Sequence, residues 1–121
     1  MRILLVDDDR MAAAIISMAL EQADYEVTVA ASGEEALVIF GDDDGFCTII
    51  SDLNMPGIDG VELYQRLKAA GLQVPFILLS GDNPDHLRRR DPGISRYLVK
   101  DEALAETIIG EVAQLLTGTE K

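Results

Sequence analysis

The sequence predicts an α/β domain in which a five-stranded, mostly parallel sheet is covered by helices on both faces. Three observations predict it. Five short apolar or β-branched runs alternate with longer segments of helical character along the chain. The first and third runs are almost wholly apolar, as strands buried on both faces require. The segments between runs are long enough for the right-handed crossovers that join parallel neighbours.

Taken in order, Arg2 to Val6 is the first strand. Asp9 to Ala23 reads as a helix, with Met11, Ile15 and Met18 forming an apolar stripe together with Ile16, Ala19 and Ala23. Glu26 to Ala30 is the second strand. Ser32 then caps a helix, with Glu35 at the capping-box spacing, and the Gly-Asp-Asp-Asp-Gly run at 41–45 breaks it. Cys47 to Ser51 is the third strand, ending at Asp52. Turn residues occupy 54–57. Asp59 and Glu62 open a helix carrying Val61, Leu63, Leu67 and Ala70, which Gly71 stops. Val74 to Leu79 is the fourth strand, ending at Ser80-Gly81. A short polar helix is expected within 82–90, Arg96 to Val99 is the fifth strand, and Leu104, Ile108, Val112 and Leu115 mark a closing helix.

At 121 residues, 48% hydrophobic and 26% charged, the chain reads as one globular domain over 1–121, with 117–121 as the start of a linker if a longer parent exists. The formal net charge of −12 argues against nonspecific binding to nucleic acid or to an anionic membrane. The opening Ile3-Leu4-Leu5-Val6 run is too short for a signal peptide or membrane span, so a cytoplasmic location is expected. Cys47 is the only cysteine, which excludes an internal disulfide and reads as a small buried hydrophobe at a strand start. Asp42, Asp43 and Asp44 lack the ligand spacing of an EF-hand and read as a solvated turn. His86 is a surface residue on this reading. Arg88, Arg89 and Arg90 read as a solvated helix face, with contact to an acidic partner or a second copy as the sharper alternative.

In a doubly wound sheet the ligand site lies beyond the carboxyl ends of the strands. The residues there are Asp7 and Asp8, Asp52, Ser80 and Lys100. A single strand-end aspartate is ordinarily a cap or a turn former. Three carboxylates, a hydroxyl and an ammonium converging on one rim are not explained that way. Crowded carboxylates repel unless a cation neutralises them, and Mg²⁺ suits a hard oxygen set of this kind.

The segments Val6-Asp7-Asp8-Asp9, Asp52 to Gly60 (DLNMPGIDG), Leu79-Ser80-Gly81 and Tyr97-Leu98-Val99-Lys100 resemble the receiver domains of bacterial two-component response regulators. The resemblance runs from the first strand to the last helix. It implies a flavodoxin-like, doubly wound sheet of strand order 2-1-3-4-5. It further implies that Asp52 accepts a phosphoryl group, that Asp8, Asp52 and the backbone carbonyl of Asn54 hold Mg²⁺, and that Asp7 holds it through water. Lys100 would pair with a phosphate oxygen, Ser80 would hydrogen-bond another, and Tyr97 would follow by changing rotamer. The implied partners are a sensor histidine kinase or phosphotransfer protein and a downstream protein or output domain. A homodimer through the 82–90 segment, fifth strand and closing helix is a further implied assembly.

The sequence departs from the family at Asp101, where a proline with a cis peptide is usual. A non-proline cis bond costs ~3 kcal/mol, so a trans peptide is expected, with Asp101 free to cap the last helix. Two rival functions have their own signatures. A phosphatase of the haloacid dehalogenase type would use Asp7 as its nucleophile, but the sequence lacks that family's continuation and has little room for a substrate cap. A receiver-like interaction module that never accepts phosphate is opposed by the intact set of Asp7, Asp8, Asp52, Ser80 and Lys100.

Overall fold

The computed structural model describes residues 1–43, 45–81 and 93–117. Within them, β1 (Arg2–Val6), α1 (Arg10–Gln22), β2 (Glu26–Ala30), α2 (Gly33–Asp42), β3 (Phe46–Asp52), α3 (Gly60–Ala69), β4 (Phe76–Ser80), β5 (Arg96–Val99) and α4 (Leu104–Thr117) follow one another. The expected short helix at 82–90, His86, the arginines at 88–90 and residues 118–121 lie outside the described residues.

The five strands form one parallel sheet of order β2-β1-β3-β4-β5. Strand alternation divides the core in two. Leu4 and Val6 of β1, Ile49 of β3 and Phe76 and Leu78 of β4 pack with Ala36, Leu63 and Leu67 of α2 and α3. Ile3, Leu5, Ile50, Ile77 and Leu79 point the other way and pack with α1 and α4. The two α–β layers thus explain why the central strands are apolar at successive positions.

Helix ends follow local chemistry. Asp9 Oδ1 accepts from the N–H groups of Met11 and Ala12, at 3.0 and 3.2 Å, and so caps α1. Ser32 Oγ accepts from Glu35 N–H at 3.0 Å, while the Glu35 carboxylate reaches back to the N–H of Ala31 rather than that of the cap itself. Asp59 Oδ1 accepts from Glu62 N–H at 2.8 Å and starts α3. At the other end of α3, Gly71 adopts φ +104°, and the Gly71→Lys68 and Leu72→Leu67 backbone bonds close a Schellman motif.

Six readings of the sequence need correction. Met11, Ile15 and Met18 are exposed at 74, 57 and 59%, and the buried stripe of α1 is Ala13, Ile16 and Leu20. Almost every residue from Met11 to Leu20 is apolar or small, so periodicity alone left the face ambiguous; packing on β1, β2 and α4 decides it. α2 continues through Gly41 to Asp42. Asp43 is no simple solvated turn: it ion-pairs with Arg2, 41 positions away, whose guanidinium also stacks 4.7 Å from the Phe46 ring centroid. Cys47 is the second residue of β3 and only half-buried. β4 begins at Phe76, after Pro75, which has no N–H to give the sheet. Asp101 does not cap α4; its Oδ1 accepts from Ala103 N–H at 3.0 Å, an Asx turn one step ahead of the helix. The Lys100–Asp101 peptide is trans, as expected.

Candidate functional site

β1 lies between β2 and β3, so the chain leaves β1 in one direction and returns on its other side. The strand order reverses there, and the carboxyl ends of β1 and β3 border the resulting crevice. Asp7 follows β1 and Asp52 closes β3. Asp7 is 2% exposed and Asp52 7%, whereas Asp8 is exposed. One carboxylate oxygen from each of the three lies within 4.8 Å of the others.

Two neighbours fix Asp7. Its Oδ1 accepts from the N–H of Asp9 at 2.9 Å, and Lys100 Nζ stands 3.3 Å from its Oδ2. The same ammonium is 3.4 Å from Asp52 Oδ1, so it bridges the two buried carboxylates. Lys100 is carried there by the backbone: its N–H donates to the Ser80 carbonyl at 2.8 Å, beyond the last β4–β5 pair. Ser80 is buried at the end of β4. Asn54 is exposed in the loop two residues beyond Asp52. Tyr97 is 7% exposed, in register with Leu78, and by alternation shares a sheet face with Ser80 two residues further along β4.

Burial pushes the pKa of Asp52 up, the Asp7 charge pushes it further, and the Lys100 ammonium offsets this only in part. Burial works against the charge on Lys100 too, but Asp52 and Asp7 outweigh it and leave that pKa raised. A carboxyl whose pKa is higher folded than unfolded lends stability below its unfolded value and loses it as the pH rises through the folded one. Ionised Asp52 is therefore a cost at pH 7. In chelator, Asp52→Asn raises Tm at pH 7, and the gain shrinks as the pH approaches 4. Thermal unfolding at several pH values measures this; a lower Tm at pH 7 contradicts it.

Three carboxylates against one ammonium leave the cluster electronegative, and all of its donors are hard oxygens. That composition fits a small divalent cation such as Mg²⁺, which is commonly held by one or two carboxylates and retains waters.

The response regulator receiver domain model matches residues 3–109. The chain belongs to the response regulator receiver domain family. Receiver domains are signalling modules of two-component systems. This one is 32% identical over 117 residues to the transcriptional regulatory protein HprR of Escherichia coli, covering 95% of this chain and 52% of that protein. It spans about half the length of that curated relative. Among solved structures it resembles the response regulator TrrA of Thermotoga maritima in complex with Mg²⁺-BeF, with TM-score 0.82, 30% identity and coverage of 94% of this chain and 97% of that one. Chemotaxis protein CheY4 of Vibrio cholerae gives TM-score 0.81 and 30% identity over 94% and 97% of the two chains. Among the described residues of the receiver domain, no helix is long and apolar enough to cross a membrane.

Strand ends thus led to Asp7, Asp8, Asp52, Ser80 and Lys100 in the sequence. Two contributors escaped that reading: the N–H of Asp9, which orients Asp7, and Gly60, which lies against the Asp52 peptide. The first depends on how the backbone turns between Asp7 and Asp9. A glycine directly after the Asp59 cap, where a helix former is ordinarily better, was a signal for the second.

Proposed function

We propose that this domain is a phosphorylation-dependent switch that accepts a phosphoryl group on Asp52 with Mg²⁺. The observation that carries the reading is the buried Asp52 carboxylate among acidic neighbours, with the Lys100 ammonium 3.4 Å away, in a chain of the receiver family. An Asp52 oxygen attacks phosphorus, forming a new O–P bond. The bond from phosphorus to the donor breaks, and its electron pair leaves with the donor's imidazole nitrogen or acetate oxygen. Asp8, Asp52 and the Asn54 carbonyl would hold the metal, with Asp7 reaching it through water. Bound Mg²⁺ supplies neutralisation of the phosphoryl oxygens. Lys100 pairs with one of those oxygens and the Ser80 hydroxyl donates to another.

The switch follows from what lies behind Ser80. Drawing its hydroxyl toward phosphate alters the packing on the sheet face it shares with Tyr97, which biases the surface around β5 and α4. A sensor histidine kinase or phosphotransfer protein is the donor, and a downstream protein or output domain is the reader. A homodimer through the β5–α4 face is a further mode of readout. The exposed stripe of Met11, Ile15 and Met18, with Ile15 and Lys100 lining one groove, suits protein partners better than small substrates. Cytoplasmic work fits these partners. In the test, the protein is incubated with acetyl phosphate and Mg²⁺. Intact-mass analysis then finds one added phosphoryl group, absent with chelator and absent in Asp52→Asn. No uptake by the wild type, or uptake that survives Asp52→Asn, overturns the proposal.

A further inference from the structure

We infer that Gly60 is a positioning residue for Asp52, its missing side chain letting α3 begin directly against the peptide that carries the acceptor. The inference rests on the acceptor role proposed above. Gly60 is buried as the first residue of α3, and its N–H donates to the Leu53 carbonyl at 2.9 Å. A Cβ at this position would stand 2.5 Å from the Asp52 carbonyl oxygen, 2.5 Å from Leu78 Cδ1 and 3.1 Å from Leu53 Cα. A side-chain methyl can swing aside. The carbonyl oxygen of Asp52 cannot move without turning the peptide that sets the direction of its carboxylate.

The requirement is for space rather than for backbone freedom. Gly57 and Gly71 have φ of +81° and +104°, but Gly60 is outside the left-handed region. The Asp52–Leu53 peptide is therefore held from two sides, by Gly60 on α3 and by the Leu53 N–H bond to the Leu79 carbonyl at 2.8 Å on β4. Alanine at position 60 must displace either the helix start or the acceptor. Near a reacting centre, a shift on the order of 1 Å costs up to about 100-fold in rate.

The test measures acetyl-phosphate-driven phosphorylation with Mg²⁺, alongside Tm, for wild type, Gly60→Ala, Leu78→Val, Gly60→Ala/Leu78→Val and Gly110→Ala. Valine at 78 removes the clashing Cδ1 but leaves the Asp52 oxygen in the way, so it separates packing from positioning. Gly60→Ala is expected to lower the maximal rate by about 10- to 100-fold with the half-saturating donor concentration unchanged. In the Leu78→Val background, Gly60→Ala is expected to cost less Tm than in the wild type yet to lower the rate by the same factor. Gly110, where a Cβ would meet nothing within 4 Å, tolerates alanine with no change in rate. A Gly60→Ala rate equal to wild type, or a rate loss that disappears as the Tm cost does, overturns the inference while the acceptor role stands. If Gly60→Ala alone does not fold, the double variant compared with Leu78→Val decides. A wild type that takes up no phosphoryl group overturns both.

Discussion

Lys100→Ala slows phosphoryl acceptance by about 10²–10³-fold, the loss typical of removing one preorganised charge aimed at a developing anion. Lys100 is the cation that bridges Asp7 Oδ2 at 3.3 Å and Asp52 Oδ1 at 3.4 Å. Without it, the carboxylates keep their mutual repulsion and lose the charge that meets the incoming phosphoryl oxygens. Because Lys100 holds the Asp52 pKa down, its removal also raises that pKa further. Less of the attacking carboxylate is then ionised at mildly acidic pH, so the variant's rate falls off at a higher pH than the wild type's. Lys100→Arg keeps the charge but not the compact point geometry, and recovers part of the rate. Single-turnover rates at fixed Mg²⁺ across pH measure all three effects. A Lys100→Ala rate within threefold of wild type contradicts the assignment.

Phe76→Ala costs about 3–5 kcal/mol, a large share of the roughly 5–15 kcal/mol by which a domain is stable. Phe76 is 1% exposed at the start of β4 and meets the Tyr64 ring of α3 edge-on, with centroids 5.2 Å apart at 64°. Alanine removes the ring and leaves a void between sheet and helix that close-packed neighbours fill only in part. The variant is expected to shift the urea midpoint down with little change in the slope of the transition. A loss below about 1.5 kcal/mol would mean that α3 settles onto the sheet in a way this packing does not suggest.

Local chemistry explains what was legible in the sequence. Ser32 and Asp59 stand where their short side chains can reach the N–H groups three residues ahead, and each caps its helix. The apolar core of β1 and β3 marked strands covered on both faces. Strand order followed from the resemblance and agrees with the sheet. Illegible features depend on contacts distant along the chain. The buried face of α1 is chosen by β1, β2 and α4, because a helix rich in alanine, methionine and isoleucine has no polar side to reveal it. The Arg2–Asp43 pair joins residues 41 positions apart. Lys100 and Asp7 are 93 apart, yet this contact was legible because a parallel sheet brings all strand ends to one rim. Gly60 was legible only as an unusual residue after the Asp59 cap; its role is set by the Asp52 carbonyl oxygen, eight residues back on a different element.

The central claim concerns one oxygen-bearing side chain, and the direct measurement is to find the phosphoryl group. After incubation with acetyl phosphate and Mg²⁺, the acyl phosphate is trapped by borohydride reduction and the modified residue located by peptide mapping. A single modified position, Asp52, is expected. Modification at Asp7 would assign the chemistry to the phosphatase-like alternative, and modification at Asp8 or at no aspartate would equally contradict the account.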